Sequence, residues 1–214
     1  MVRPCLSLRV LMIFAAFAVQ AQDTPLTIKL PLPDTTGGRP LMQLLKERKS
    51  TRDFSEKSLS DTTLANLLWA AFGVNRADGR RTAPSARNRQ EITLYLCMKH
   101  GVFVYHAQDH TITQVLGEDV RKTTGTQDFI TVAPLNLVYV ADMSKVNTAS
   151  AEDAAFYVGA DCGFIAENVY LFCTSQGLAT VVRGLVDRTA LSQAINLTPN
   201  QRILLAQTVG YAKK

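Results

Sequence analysis

Cysteine is scarce in this sequence, with four in 214 residues, and that excludes a small disulfide scaffold. Neither sign of charge dominates: 23 Lys+Arg against 18 Asp+Glu leave a formal charge of +5, too little to argue for nucleic acid on charge alone. No apolar run exceeds ten residues, about half the ~20 that a membrane-spanning helix needs. Only three histidines occur, His100, His106 and His110, and no Cys or carboxylate completes a recognisable metal pattern around them. There is no Ser-His-Asp order, nucleophile elbow or Walker glycine loop. Internal repeats and low-complexity tracts are also missing.

What remains is a chain able to build a core. It is 47% hydrophobic and 19% charged, which excludes global disorder, and its length suits one substantial domain. Its first 21 residues differ from the rest. Arg3 and Arg9 precede the ten apolar residues Val10 to Val19, no acidic residue occurs, and Ala21 offers a small residue for cleavage. These features predict a removed signal peptide over 1–21, hence export and a periplasmic location; without a twin-arginine pair, general secretion is expected. The mature chain would have 193 residues, a charge of +3, and Cys97, Cys162 and Cys173. Cys162 and Cys173 lie eleven apart on one predicted helix, about 16 Å at ~1.5 Å per residue, too far to bond to each other. Buried free thiols are expected.

Residues 22–39 carry Pro25, Pro31, Pro33 and Gly37-Gly38 and read as an extended arm before a domain spanning 40–214. Helices are predicted over Leu41 to Arg48 and from an N-cap at Ser60 through Phe72, with 74–91 a polar loop. Strands follow at 92–98, 102–106 and 111–115, then a helical turn at Asp119 to Thr124 and an apolar strand of the fully buried kind from Leu135 to Ala141. A long helix from Glu152 to Ser175 closes at Gly177. Asp161, Glu167 and Asn168 argue against its crossing a membrane, and its small residues suit a buried or dimer-interface helix. A strand at 178–182, a short helix at 187–195 and a last strand at 202–211 complete an α+β pattern, neither barrel nor doubly wound.

Three segments could carry chemistry. Arg48-Lys49-Ser50-Thr51-Arg52 sets three cations and two hydroxyls where a phosphate could be gripped, although cations also favour a helix C-terminus. Thr82 to Gln90 is a Pro-Ser loop able to hydrogen-bond a heteroaromatic ring, or simply to meet solvent. Gly177 to Gly184 is a strand ending on a glycine whose N–H a ligand can approach closely.

In order and spacing these segments resemble the nitroreductase family, including its SagB-type members, over roughly Pro40 to Tyr211. The carriers are "KERKSTRDFSEKSLS", "APSARNRQ", "GADCGFIAENVYLFCTSQGLATVVRGLVD" and "LLAQTVGYAKK". The resemblance implies an FMN-dependent α+β homodimer, a mostly antiparallel central sheet flanked by helices, and FMN at the subunit interface. Arg48, Lys49, Ser50 and Arg52 would bind phosphate, ribityl chain and pyrimidine edge. Pro84, Ser85, Ala86 and Asn88 would come from the partner chain. Arg183, Gly184 and Leu185 would bring a backbone N–H near flavin N5. Gln127 matches a polar ring contact, and Lys213 and Lys214 would complete the phosphate site. The acceptor would be a nitroaromatic, quinone-like or other small organic molecule, with NAD(P)H one possible donor. A dehydrogenase or dehalogenase with a non-nicotinamide donor, and a non-catalytic FMN-binding module, are the alternatives. Gln90-Glu91 stands where many relatives have Gln-Pro-Trp, which alters the substrate-side wall.

Overall fold

The computed structural model describes residues 25–214, so the signal-peptide expectation for 1–21 lies outside the described residues. Seven strands form one sheet: β1 Thr27–Lys29, β2 Ile92–Met98, β3 Gly101–His106, β4 Thr111–Leu116, β5 Leu135–Asp142, β6 Ala179–Arg183 and β7 Gln201–Gly210. Their order is β1-β4-β3-β2-β5-β7-β6, and every pairing is antiparallel. Four helices accompany them: α1 Leu41–Glu47, α2 Asp61–Phe72, α3 Ala151–Ser175 and α4 Arg188–Ala194. The α+β class and the antiparallel sheet expected from the sequence are therefore observed.

Side chains alternate across a strand, so a strand buried on both faces must supply two cores. Central β5 does so. Leu135, Leu137, Tyr139 and Ala141 join the larger cluster with Leu67, Leu68 and Phe72 of α2 and Ile165 and Val169 of α3. Val138 and Val140 face the other way, into a smaller cluster closed by Leu191 of α4 and Ile195. Cys97, Cys162 and Cys173 are free and buried within these layers.

Caps set the helix limits. Ser60 Oγ accepts the Thr63 N–H at 3.2 Å to start α2, and Ser150 Oγ accepts the Asp153 N–H at 3.0 Å to start α3. After α3 the chain turns at Gly177, whose φ of +66° suits glycine. The predicted turn before β5 is a 3₁₀ turn at Arg121–Thr124.

The arm differs from expectation in one respect. Thr27–Lys29 is a true edge strand, pairing Ile28 with Ile112 of β4. Three exposed residues between Pro25 and Pro31 give no alternating buried face, which is why pattern alone does not reveal it. No helix among the described residues is long and apolar enough to cross a membrane.

Candidate functional site

Strand β6 lies at the edge of the sheet, so its outer backbone groups need partners from elsewhere. The segment after α1 supplies one: Thr51 N–H donates to Thr180 O at 2.9 Å. Tyr170 of α3 supplies another, its hydroxyl accepting the Val182 N–H at 3.0 Å while contacting Ser50 Oγ at 2.8 Å. The same ring carries the Arg48 guanidinium 5.0 Å from its centroid, and Arg48 Nε lies 3.9 Å from Glu167. One tyrosine thus ties the segment 48–52 to β6.

The C-terminal residues join the same region. Phe54 bridges to Ala212, Ser55 N–H donates to Tyr211 O at 2.9 Å, and Lys213 N–H donates to Asp53 O at 3.3 Å. The fold therefore gathers Arg48, Lys49, Ser50 and Arg52 with Lys213 and Lys214, two groups separated by most of the chain. Lys49, Arg52, Lys213 and Lys214 are exposed, and none has a carboxylate within 4.0 Å among the described residues. Cations left free beside backbone and hydroxyl donors suit an anion such as a phosphate.

Beyond β6 the arrangement is different. The Arg183 side chain is buried and turned inward, donating to Thr208 Oγ1 at 3.0 Å, to Asn136 Oδ1 at 3.0 Å, to Thr124 O, and to Gln127 Oε1 at 3.4 Å. Burial lowers its pKa to about 10, with only carbonyl, amide and hydroxyl dipoles around the charge. Arg183 and Gln127 lie together through a contact between their own side chains. Only the backbone of this segment, through exposed Gly184 and Leu185, is open to a ligand. Gly125 is needed here for space, because a Cβ would lie 2.1 Å from Arg183 Nη1 and 2.6 Å from Gln127 Oε1.

The Pro84–Asn88 loop is held elsewhere on α3. Asp161 Oδ2 accepts the Ala86 N–H at 2.9 Å, and Ser85 Oγ accepts the Gln90 N–H at 3.0 Å. Asn88 Oδ1 accepts from the Gln90 amide at 3.0 Å, and Arg81 Nε donates to Gln90 Oε1 at 2.9 Å. These contacts fix three non-glycine residues in the left-handed region: Arg87 (φ 56°), Asn88 (φ 54°) and Gln90 (φ 49°). Asp161 and Tyr170 are nine residues apart on α3, about 13–14 Å at ~1.5 Å per residue. One chain alone therefore holds the loop and the cation cluster at separate anchor points.

On either side of Asp161, α3 shows solvent an apolar stripe. Phe156 is 70% and Phe164 49% exposed, and a Cβ built on Gly159 or Gly163 would meet nothing within 4 Å. A cavity of about 290 Å³ lies apart from all of this, lined by Glu56, His100 and Arg121 among others, and no predicted cofactor residue borders it. The histidines serve locally: His110 Nδ1 meets the Tyr105 hydroxyl at 2.9 Å, and His100 packs edge-on against Phe103.

Three contributors escape sequence reading. Tyr170 and Thr180 sit at positions that look like core, and only the edge of β6 gives their hydroxyl and carbonyl a purpose. Glu91 reads as a substituted wall residue, yet it is 1% exposed.

An antiparallel sheet clasped by a long helix, with exposed cations gathered beside its edge strand, defines the class as an α+β fold with a basic cluster on the sheet rim. The chain belongs to the nitroreductase family of oxidoreductases, whose family model matches residues 45–211. It is 31% identical over 168 residues to a Methanocaldococcus jannaschii protein named as a nitroreductase, a match covering 74% of this chain and 84% of that one. It is similar to a crystal structure of a Ralstonia eutropha protein also named as a nitroreductase, with TM-score 0.83, 40% identity, and 88% and 90% of the two chains covered. A chain of the Escherichia coli microcin synthetase McbBCD complex shares the fold alone, with TM-score 0.71 at 18% identity over 96% of this chain and 85% of that one.

Proposed function

We propose that this protein is an exported FMN-dependent oxidoreductase that works as a homodimer. The observation that carries the reading is the convergence of 48–52, β6 and 212–214, with four exposed cations free of carboxylate partners among the described residues. When bound, FMN would supply two-electron transfer through its N5 to a nitroaromatic, quinone-like or other small organic acceptor. Arg48, Lys49, Arg52, Lys213 and Lys214 would hold the phosphate and the polar edge of the ring, with Ser50 donating to the ribityl side. A cation at the ring edge favours the form carrying more negative charge, which raises the potential. Gly184 and Leu185 would offer backbone groups, since Arg183 is committed to internal partners.

The separation of the two anchor points supports the homodimer. Placing Pro84, Ser85, Ala86 and Asn88 of a partner chain over this chain's cation cluster would complete the pocket, and it would cover Phe156 and Phe164. No side chain need act as a general acid, since solvent or the acceptor would provide protons. If residues 1–21 direct export, nicotinamide donors are scarce at the destination. That leader favours a second reading, a dehydrogenase or dehalogenase fed by another donor. A visible spectrum of purified residues 22–214, followed by anaerobic titration with NADH and then with artificial donors, tests cofactor and donor together. Flavin absorbance bleached by NADH supports the first reading; bleaching only by other donors supports the second. No flavin, and no uptake of added FMN, contradicts both.

A further inference from the structure

Glu91 is the most anomalous polar group among the described residues. It follows the Pro84–Gln90 loop directly, its backbone carbonyl accepts the Asp142 N–H at 2.9 Å, and its side chain is 1% exposed. Neither carboxyl oxygen receives a hydrogen bond from any N–H or O–H among the described residues. Its neighbour on α3 is another carboxyl group, Asp161, itself 3% exposed. Two facing acceptors hold together only if a proton lies between them.

We propose that Glu91 and Asp161 share one proton as an acid–carboxylate pair, and that this pair positions the 84–90 loop. The significance of the loop for the flavin rests on the function proposed above; the pair itself does not. Protonated Glu91 donates to Asp161, leaving the aspartate charge free to accept the Ala86 N–H at 2.9 Å. That contact pins the residue preceding Arg87, Asn88 and Gln90, whose left-handed backbone needs outside support. Loss of the proton puts two like charges side by side in a buried site, and the clamp on Ala86 weakens.

The surroundings agree. Burial first, and then Asp161, raise the Glu91 pKa to about 7, opposed by the dipole of its own backbone N–H and, more weakly, by Arg89 of the loop. Cys162, the other titratable group of α3 beside it, is pushed up to about 12 and stays a neutral thiol. The Asp142 carboxylate is turned to Ser144 instead. The pair is thus the group that titrates near neutrality at this loop. Glu91 is a positioning residue, since it acts through Asp161.

Trypsin reads the loop directly, because Arg87 is exposed within it, whereas half-buried Arg89 donates to Asn147 O. Cleavage of the full mature chain without flavin is timed from about pH 6 to 8.5 and normalised to a free peptide of the same loop sequence. With a pKa of about 7, the ionised fraction rises about tenfold over this range, and the normalised rate rises with it. Glu91→Gln, which stays neutral and can still donate to Asp161, should keep the slow rate at every pH. Asp161→Asn removes the like charge, so its midpoint should move to lower pH. Infrared spectra should show a protonated-carboxyl band in the wild type at low pH that vanishes with the same midpoint and is missing in Glu91→Gln. A flat wild-type rate, or wild-type titration retained in Glu91→Gln, overturns the proposal. Since no readout uses flavin, a chain that titrates but takes up no FMN would sink the functional reading alone.

Discussion

Replacing Tyr170 with Phe isolates the joint between the cation cluster and the sheet. The substitution keeps the ring, and with it the packing against Arg48 at 5.0 Å, but removes a hydroxyl that meets Ser50 at 2.8 Å and Val182 N–H at 3.0 Å. The Ser50 hydroxyl is near solvent and can rebond to water. The Val182 N–H belongs to the outer edge of β6 and has no other partner among the described residues, so it bears the loss. An unsatisfied amide of this kind costs about 1–3 kcal/mol. For a chain of this size that lowers Tm by about 2–12 °C. Thermal and urea unfolding should both show it, with Ser50→Ala giving a much smaller change. FMN uptake should weaken in Tyr170→Phe beyond the effect on folding, because segment 48–52 loses one of its two ties to β6. Unchanged Tm and unchanged uptake would refute the edge-strand reasoning.

Other outcomes follow from the same contacts. Gly125→Ala should destabilise by about 1–3 kcal/mol, because the added methyl must push aside the buried Arg183 guanidinium 2.1 Å away; chemical denaturation measures it. The pH dependence of stability carries a sign set by Glu91: the folded chain keeps this proton up to about 7 while the unfolded chain releases it near 4.5. Stability from this group therefore falls as pH rises from about 4.5 to about 7 and is flat above. His110, held below its usual value by burial, contributes with the opposite sign, so the quantity to follow is the difference in Tm between wild type and Glu91→Gln. Cys97, Cys162 and Cys173 should resist a disulfide reagent in the native chain and react only on unfolding, since burial raises all three thiols far above neutrality.

Features set within a few residues were legible before the structure. Ser60 and Gly177 mark helix ends because caps are local chemistry, and the run at 135–141, apolar but for Asn136, reads as a strand covered on both faces. The basic cluster at 48–52 was visible as composition. Its company was not, because Thr51 meets Thr180 and Lys213 meets Asp53 only across well over a hundred residues. Tyr170 gave no signal, since an aromatic on the buried face of α3 reads as packing. Glu91 misled for a related reason: a charged residue after a polar loop reads as exposed, and only the approach of α3 buries it. The sequence likewise gives no sign that the Arg183 guanidinium is claimed inside the fold, by Asn136 and Thr208 from two other strands.

The central claim is that the cluster around 48–52 and 213–214 binds FMN. Titrating FMN into purified residues 22–214, beside a variant with Arg48→Ala and Arg52→Ala, tests it most directly. The account predicts saturable uptake by the wild type, read as a change in flavin absorbance, and affinity lowered at least tenfold in the variant, which is about 1.4 kcal/mol. No uptake by the wild type, or equal affinity in both chains, would contradict it.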